Sequence, residues 1–170
     1  MWHGVFEDSG LRKVHLATTL TEIGYSAFER CKDLQSVLLP DGLERIGKYC
    51  FHGTGIEEIT LPTSTRVVGA SAFFGCERLK SVWLNEGLAS LGAGDTCDEK
   101  ELEGYAFAKC GLESVTIPST LRTLLKNTFW ACERLSKVEF AEGLEMIGRG
   151  AFEESGLVDV NLPASLRTVS

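Results

Sequence analysis

The chain has 170 residues, of which 44% are hydrophobic and 24% charged, a composition typical of a folded protein. Its 17 basic and 24 acidic residues give a net charge of −7. We therefore expect no nucleic-acid partner, because phosphate binding requires clustered lysines and arginines. No stretch approaches the roughly 20 apolar residues that cross a bilayer, and the N-terminus lacks a signal-peptide pattern. We expect no membrane span or signal peptide in this chain, and its compartment stays open.

One pattern of residues occurs seven times along the chain. Each copy has a phenylalanine, a leucine or isoleucine five or six residues later, a strand-like triplet such as Val-x-Leu, and a segment close to Leu-x-x-Ile-Gly. The phenylalanines are Phe6, Phe28, Phe51, Phe73, Phe107, Phe129 and Phe152. They are 22 or 23 residues apart, except for one step of 34. Such a period predicts a single array of stacked coils over residues 1–170, each burying its apolar side against its neighbours.

Two forms of the coil alternate. In the first, third, fifth and seventh coils the leucine or isoleucine follows the phenylalanine by five residues and a glycine precedes it, as Gly55 precedes Ile56. In the other coils it follows by six residues, as Leu34 follows Phe28. The true period is therefore two coils, which indicates duplication of a pair. We expect each glycine of the short form to supply a tight turn.

The triplet after the leucine predicts a short β-strand in every coil. In Val37-Leu38-Leu39, strand alternation places the first and third side chains inward and the middle one outward. Seven such strands are expected to stack into one parallel sheet, and Pro40 and its equivalents to end them. The Leu-x-x-Ile-Gly segment predicts a second short extended stretch that returns across the stack. The stretch around Ala-Phe, such as 25–31, is too short for more than a turn or two of helix.

From Ile23 to Pro40 the sequence follows the pattern Ile-Gly-x-x-Ala-Phe-x-x-Cys-x-x-Leu-x-x-Val-x-Leu-Pro, which returns from Val68 to Leu84. This pattern resembles the BspA-like class of leucine-rich repeats over the whole chain outside one insertion. The resemblance implies a leucine-rich-repeat solenoid, a right-handed stack of about seven coils that is mainly β, with short helical turns and a parallel β-sheet face. Members of the class are often surface-attached adhesion or recognition proteins, and the motif brings no catalytic residues. Departures are modest, such as Thr65 for leucine and Asn85 for proline.

The cysteines follow the repeat. Four of the six lie three residues after a phenylalanine, where the other coils have serine or threonine: Cys31, Cys76, Cys110 and Cys132. This column is expected to hold a small buried side chain, and Cys50 takes a buried alanine slot. A disulfide among Cys76, Cys110 and Cys132 is the alternative, because stacked coils lie ~4.7 Å apart. With no C-x-x-C and three histidines, we expect no metal site and no cofactor.

Residues 93–105 form an acidic insertion within the fourth repeat. Insertions in solenoids form loops on one face, frequently the functional one, so Asp98, Glu99 and Glu101 are candidate partner-binding residues. A tolerated surface loop is the alternative. Cys97 belongs to no column of the repeat and is expected to be the accessible thiol.

The outward positions of the predicted strands give a second candidate surface. Leu38 and Trp83 lie two coils apart, with Thr60 between them, and would form an apolar patch where polar residues are usual. Exposed tryptophan is enriched at binding hot spots. The alternative is that Trp83 lies flat over the neighbouring strands. The candidate column consists of Leu38, Thr60, Trp83, Thr116 and Glu139.

These observations favour a non-catalytic protein-interaction module that presents its repeat-built β-sheet to a protein partner. No serine, cysteine or carboxylate has a histidine at a spacing that suggests catalysis, so we assign no catalytic residues and do not expect an enzyme. The alternative function is an architectural or accessory subunit wedged in a larger assembly. Neither end forms a polar cap, so we expect a longer chain or a neighbouring subunit to cover the ends.

Overall fold

The computed structural model describes residues 4–94 and 104–170, which form a parallel β-solenoid of about six turns. Each coil runs through a short strand on a front face and a short strand on a back face. It then passes through a segment around the phenylalanine, here called the arc, which leads to the next coil. The apolar side chains of all three parts meet along the axis and form one elongated core.

The strands on each face are parallel. The front face contains β1 (Lys13–His15), β3 (Ser36–Leu38), β5 (Glu58–Thr60), β7 (Ser81–Trp83), β9 (Ser114–Ile117) and β11 (Lys137–Phe140). The back face contains β2 (Glu22–Ile23), β4 (Arg45–Ile46), β6 (Val67–Gly69), β8 (Ser90–Ala93), β10 (Thr123–Leu124), β12 (Met146–Ile147) and β13 (Thr168–Val169). The returning extended segment predicted from Leu-x-x-Ile-Gly is thus confirmed.

The predicted inward and outward alternation holds along the front face. In the third coil Ile59 and Leu61 are buried, while Thr60 between them is exposed. Short strands with one apolar side form here because the pleat sends alternate side chains to opposite faces.

The pairing of the front strands alternates with the two forms of the coil. Coils in which the leucine or isoleucine follows the phenylalanine by five residues are called short coils, and those in which it follows by six are called long coils. Pairing is continuous from each short coil to the long coil after it, as in β1 with β3, β5 with β7, and β9 with β11. Pairing from each long coil to the short coil after it is weaker. The strands β3 and β5 belong to separate sheets, and β7 pairs with β9 only at Ser81 and Ser114. The seventh triplet, at 160–162, is not a strand. In the described residues the front face therefore has six strands in two sheets, rather than the predicted single sheet of seven.

The arcs contain no helical turn in residues 4–94 and 104–170, which differs from expectation. The backbone explains the difference, because the residues two before and two after each phenylalanine all have φ between 51° and 71°. Left-handed residues at these positions interrupt a right-handed helix. The arc amide groups instead bond to the following coil, as in Phe28 N to Cys50 O (2.8 Å) and Arg30 N to His52 O (2.7 Å).

The phenylalanine rings stack along the core. Successive ring centroids are 4.9 to 5.8 Å apart and the ring planes differ by 4° to 15°. The rings of Phe51, Phe73, Phe107 and Phe129 are fully buried. Phe6, in the first coil, is 43% exposed. The repeat alignment built on these residues is confirmed.

The glycine of the short coil is needed for contact with the preceding long coil. A Cβ atom on Gly55 would lie 2.3 Å from the carbonyl oxygen of Lys32, and one on Gly111 would lie 2.2 Å from that of Glu77. Gly10 occupies the same position in the first coil, where an added Cβ atom would have no neighbour within 4 Å. The close approach of two turns, more than backbone freedom, therefore requires glycine at this column.

The cysteine column is buried, as predicted. Cys31, Cys76, Cys110 and Cys132 are free thiols, and each donates a hydrogen bond to the carbonyl oxygen of the phenylalanine in the preceding coil, at 3.0 to 3.1 Å. Cys50 is also free and buried. These five cysteines form no disulfide, so the alternative of a disulfide among Cys76, Cys110 and Cys132 is wrong. A thiol suits this column because it is a small donor for the phenylalanine carbonyl, whereas the hydroxyls of Ser9 and Thr54 pair with the sulfur atoms of Cys31 and Cys76.

The departures from the repeat are accommodated by hydrogen bonds. Thr65, which replaces a core leucine, is fully buried and donates its hydroxyl to the carbonyl oxygen of Leu43 at 2.8 Å. Asn85, which replaces a proline in the next coil, donates its side-chain amide to the carbonyl oxygens of Pro62 and Thr65. A buried polar side chain is tolerated here because its donor is satisfied.

Candidate partner-binding surfaces

The outward column of the front face brings the sequence-predicted residues into neighbouring positions. Thr60 is opposite Trp83 and Thr116 is opposite Glu139 in the strand registers. Leu38 is 86% exposed and Trp83 is 52% exposed. The two apolar side chains therefore project from a face whose other outward residues are mostly polar. Whether this column binds a partner stays a prediction.

The C-terminal part of the column is polar and internally paired. The carboxylate of Glu139 lies 2.6 Å from the ammonium group of Lys137 and accepts a 3.5 Å hydrogen bond from the hydroxyl of Thr116. The hydrogen bond that Lys137 donates to Glu139, together with the positive charge of Lys137, lowers the pKa of Glu139. Glu139 is thus a charged residue with a local partner and suits the edge of a contact more than its centre.

The acidic insertion is described only at its two ends. Asp98, Glu99, Glu101 and Cys97 lie outside the described residues. The structure does describe where the chain leaves and re-enters the array: the amide of Gly104 donates to the carbonyl oxygen of Gly92 at 2.9 Å. The two ends of the insertion therefore meet at the back face, beside β8.

A ladder of aromatic side chains on the outer surface of the arcs was not predicted from the sequence. Six half-buried rings run from the second to the sixth coil, with neighbouring centroids 5.2 to 6.3 Å apart. The aromatic ladder consists of Tyr25, Tyr49, His52, Phe74, Tyr105 and Trp130. The ammonium groups of Lys48 and Lys109 lie over the rings of Tyr49 (5.2 Å) and Trp130 (4.9 Å). All three tyrosines of the chain are members.

One ladder residue has an altered acid–base character. Burial lowers the pKa of His52, and its Nδ1 atom is buried without a hydrogen-bond partner, 3.6 Å from a carboxylate oxygen of Glu29. A neutral imidazole held between aromatic rings is a packing element here. Within the described ranges, no group of three or more histidine, cysteine or carboxylate side chains is placed to hold a metal ion. No helix in residues 4–94 and 104–170 is long and apolar enough to span a membrane.

The stacked phenylalanines and paired short strands define a leucine-rich-repeat solenoid. The family model described as "BspA type Leucine rich repeat region" matches residues 3–95 and 98–170 in six copies. The chain belongs to this family, as its repeat pattern predicted. Leucine-rich-repeat proteins are generally not enzymes. No curated protein matches the chain.

Several solved structures are similar to this chain. A leucine-rich repeat protein from Bacteroides ovatus is 30% identical with a TM-score of 0.84, over 95% of this chain and 40% of that one. The pneumococcal vaccine antigen PcpA is 32% identical with a TM-score of 0.61, over 95% of this chain and 42% of that one. The T. pallidum leucine-rich repeat protein is 28% identical with a TM-score of 0.73, over 90% of this chain and 68% of that one. The chain thus spans about two fifths of the first two proteins.

Proposed function

We propose that the chain is a non-catalytic protein-interaction module whose front face contacts a protein partner. The observation that carries the proposal is the exposure of Leu38 and Trp83 on short strands whose backbones are already paired. The contact column is that predicted from sequence: Leu38, Thr60, Trp83, Thr116 and Glu139.

The chemistry of the column supports a contact with an apolar centre and a polar edge. Burying an exposed leucine or tryptophan against a partner removes apolar area from water, which stabilises a complex by about 25 cal/mol per Å². Thr60 lies between the two without a charge that would have to be desolvated. At the C-terminal end, Thr116 and the ion pair of Lys137 with Glu139 supply polar groups. The leucine-rich-repeat family, in which repeat modules commonly serve interaction, supports the same function.

The test compares variants of the front face with a matched variant elsewhere. The tagged chain serves as bait in an extract of the cells that make it, as wild type, as Leu38→Ser/Trp83→Ser, and as Val5→Ser. Val5 is an exposed apolar residue of the first arc. We expect a protein captured by the wild type to be lost with the front-face variant and retained with Val5→Ser. The purified partner should then bind the front-face variant at least ~10-fold more weakly. Equal binding by both variants would contradict the proposal.

The insertion is tested separately as a second part of the contact. The variant Asp98→Asn/Glu99→Gln/Glu101→Gln removes three negative charges without changing side-chain size. If the insertion contributes, the variant should weaken capture of the same partner, most strongly at low salt, because exposed charges are screened as salt rises. Unchanged capture would assign the contact to the front face alone.

A second candidate function is an architectural subunit, whose neighbours would contact the apolar side chains exposed in the first and seventh coils. Val5 and Phe6 are exposed in the first coil, and Val160 and Leu162 in the seventh. Neighbouring proteins that cover these ends would bury these side chains. In that case Val5→Ser or Leu162→Ser should abolish capture of the neighbour, while Leu38→Ser/Trp83→Ser should leave it unchanged.

A further inference from the structure

The arc surface carries a second set of features that the front-face function does not use. Two open cavities lie beside the aromatic ladder. The first, of about 490 Å³, is lined by residues that include Arg30, Lys32, His52 and Arg78. The second, of about 390 Å³, is lined by residues that include Glu77, Lys109, Trp130 and Glu133. Each cavity thus contains a ladder ring in its wall.

The two cavities repeat with the period of the alternating turns. The first lies over the short turn of the third coil, at Gly53 and Gly55, between the long turns of the second and fourth coils. The second lies over Cys110 and Gly111 of the fifth coil, between the long turns of the fourth and sixth. Two coil steps separate them, a distance of about 10 Å from the spacing of adjacent strands.

We propose that this surface binds an extended proline-rich segment in the polyproline II conformation, laid along the solenoid axis. A polyproline II helix has three residues per turn and advances about 9 Å per turn. One turn of such a segment therefore matches one repeat of the cavities. Aromatic-lined grooves are the usual binding surface for this conformation, because the rigid segment loses little entropy on binding.

Unused hydrogen-bond donors on the ladder suit such a ligand. In the part of the chain that the structure describes, the hydroxyls of Tyr49 and Tyr105 and the indole nitrogen of Trp130 have no hydrogen-bond partner, and none of the three is buried. A polyproline II segment has carbonyl oxygens without internal hydrogen bonds. Tyrosine and tryptophan combine an apolar ring with one polar donor and so contact both the proline rings and these carbonyl oxygens.

The same geometry disfavours other linear ligands. Three of the five ring contacts in the ladder are edge to face, at 75° to 86°, and two are tilted, at 35° and 53°. The ammonium groups of Lys48 and Lys109 lie over the rings of Tyr49 and Trp130. Both cavities contain basic and acidic side chains, for example Lys109 with Glu77 and Glu133 in the second. This mixture favours a ligand with little net charge over a polyanion or a polycation.

The test measures binding of a fluorescein-labelled peptide of ten prolines by fluorescence anisotropy. A Gly-Ser peptide of equal length and a hexamer of β-1,4-linked glucose serve as comparison ligands. The variants are Trp130→Ala, which removes a ring and a donor, and Tyr49→Phe/Tyr105→Phe, which keeps both rings and removes two hydroxyls. Trp83→Ala on the front face is the matched control. Thermal unfolding of each variant verifies that the array is intact.

We expect the ten-proline peptide to bind the wild type at least ~10-fold more tightly than the Gly-Ser peptide does. Trp130→Ala should weaken binding by about 10-fold and Tyr49→Phe/Tyr105→Phe by about 5-fold, while Trp83→Ala leaves it unchanged. Equal affinity for the two peptides, or an equal loss with Trp83→Ala, would overturn the proposal. Binding of the glucose hexamer that depends on Trp130 would assign the surface to glycans instead. The front-face function is untouched by any of these outcomes, because it concerns different residues.

Discussion

Phe73 and Phe107 are 34 residues apart in the chain, yet their rings stack at 4.9 Å with planes 4° apart. This is the shortest centroid distance of the phenylalanine stack, although the insertion separates these two residues. The backbone hydrogen bonds between successive arcs also continue here, since the amide of Phe73 donates to the carbonyl oxygen of Ala106 at 2.8 Å. In the arcs the fourth and fifth coils are therefore packed as closely as any other pair, although on the back face β8 and β10 belong to separate sheets.

The stack makes each interior phenylalanine a major source of stability. Phe73→Ala should lower the free energy of unfolding by about 3–5 kcal/mol, because it leaves a cavity between two buried rings. Phe6→Ala, at the exposed first position of the stack, should cost less than half as much. Urea denaturation followed by circular dichroism measures both. Equal losses for the two variants would show that burial in the stack does not govern the effect.

Shortening the insertion should leave the array intact. We expect replacement of residues 95–103 by two glycines to keep the free energy of unfolding constant or raise it by about 1 kcal/mol, because a shorter loop costs less entropy to close. The hydrogen bond from Gly104 to Gly92 already brings its ends together. The same urea titration measures the change. A loss of several kcal/mol would mean that the insertion packs against the coils.

The short-coil glycines provide a matched pair of substitutions. Gly55→Ala should destabilise the protein by at least about 1–3 kcal/mol, because the new methyl group would overlap the carbonyl oxygen of Lys32. Gly10→Ala changes the same column where no atom is near and should have an effect within about 0.5 kcal/mol. Thermal and urea unfolding of the two variants should separate them clearly. Similar effects would assign the glycine requirement to backbone conformation.

The thiols should differ sharply in reactivity. Cys31, Cys50, Cys76, Cys110 and Cys132 are buried and free, so a thiol reagent should modify them only after unfolding. Cys97, in the insertion, is expected to react first. Mass spectrometry of the native protein after timed labelling with iodoacetamide identifies the modified residues. Rapid modification of Cys31 in the folded protein would contradict the burial of this column.

Alkaline pH should destabilise the array through three of these thiols, whereas hydrogen bonds lower the pKa of a fourth, Cys76, despite its burial. Burial raises the pKa of Cys132 to about 11 and raises those of Cys50 and Cys110 as well. An unfolded cysteine has a pKa near ~8.5, so above that pH the unfolded chain releases protons that the folded chain retains. Stability is therefore complete below pH ~8.5 and falls as pH rises toward the folded pKa. For Cys132 the loss is about 2 kcal/mol at pH 10. The loss of stability between pH 7 and pH 10, measured by urea unfolding, should be smaller by about this amount in Cys132→Ser, because Cys50 and Cys110 still contribute.

Much of the fold could be predicted from the sequence because one residue type repeats at one position. Phe28, Phe51 and their equivalents gave the coil boundaries, and Val-x-Leu triplets such as 37–39 gave the inward and outward sides of the front strands. The serine and threonine residues that replace cysteine in other coils identified a buried small column. These signals depend on side-chain spacing alone, and spacing is fully present in a sequence.

The arcs could not be predicted in the same way. Ser26 and Arg30 adopt left-handed φ angles although neither is glycine, because hydrogen bonds to the next coil hold them there. The aromatic ladder forms no single column of the repeat, because its rings alternate between positions: Tyr49 precedes its phenylalanine, whereas Phe74 and Trp130 follow theirs. Comparing neighbouring coils position by position does not bring these residues together, although a search for surface aromatics on both sides of each Ala-Phe pair would find them.

The glycine at each short turn also limits how such an array can change in length during evolution. A coil of the short form fits because its Gly55-like residue leaves room for the carbonyl group of the long turn before it. Loss or gain of one coil inside the array would place two long turns, or two short ones, side by side. The gain or loss of a matched pair preserves every contact. Coils gained or lost inside the array should therefore come in pairs, whereas a single coil at either end can be added or removed without such a mismatch.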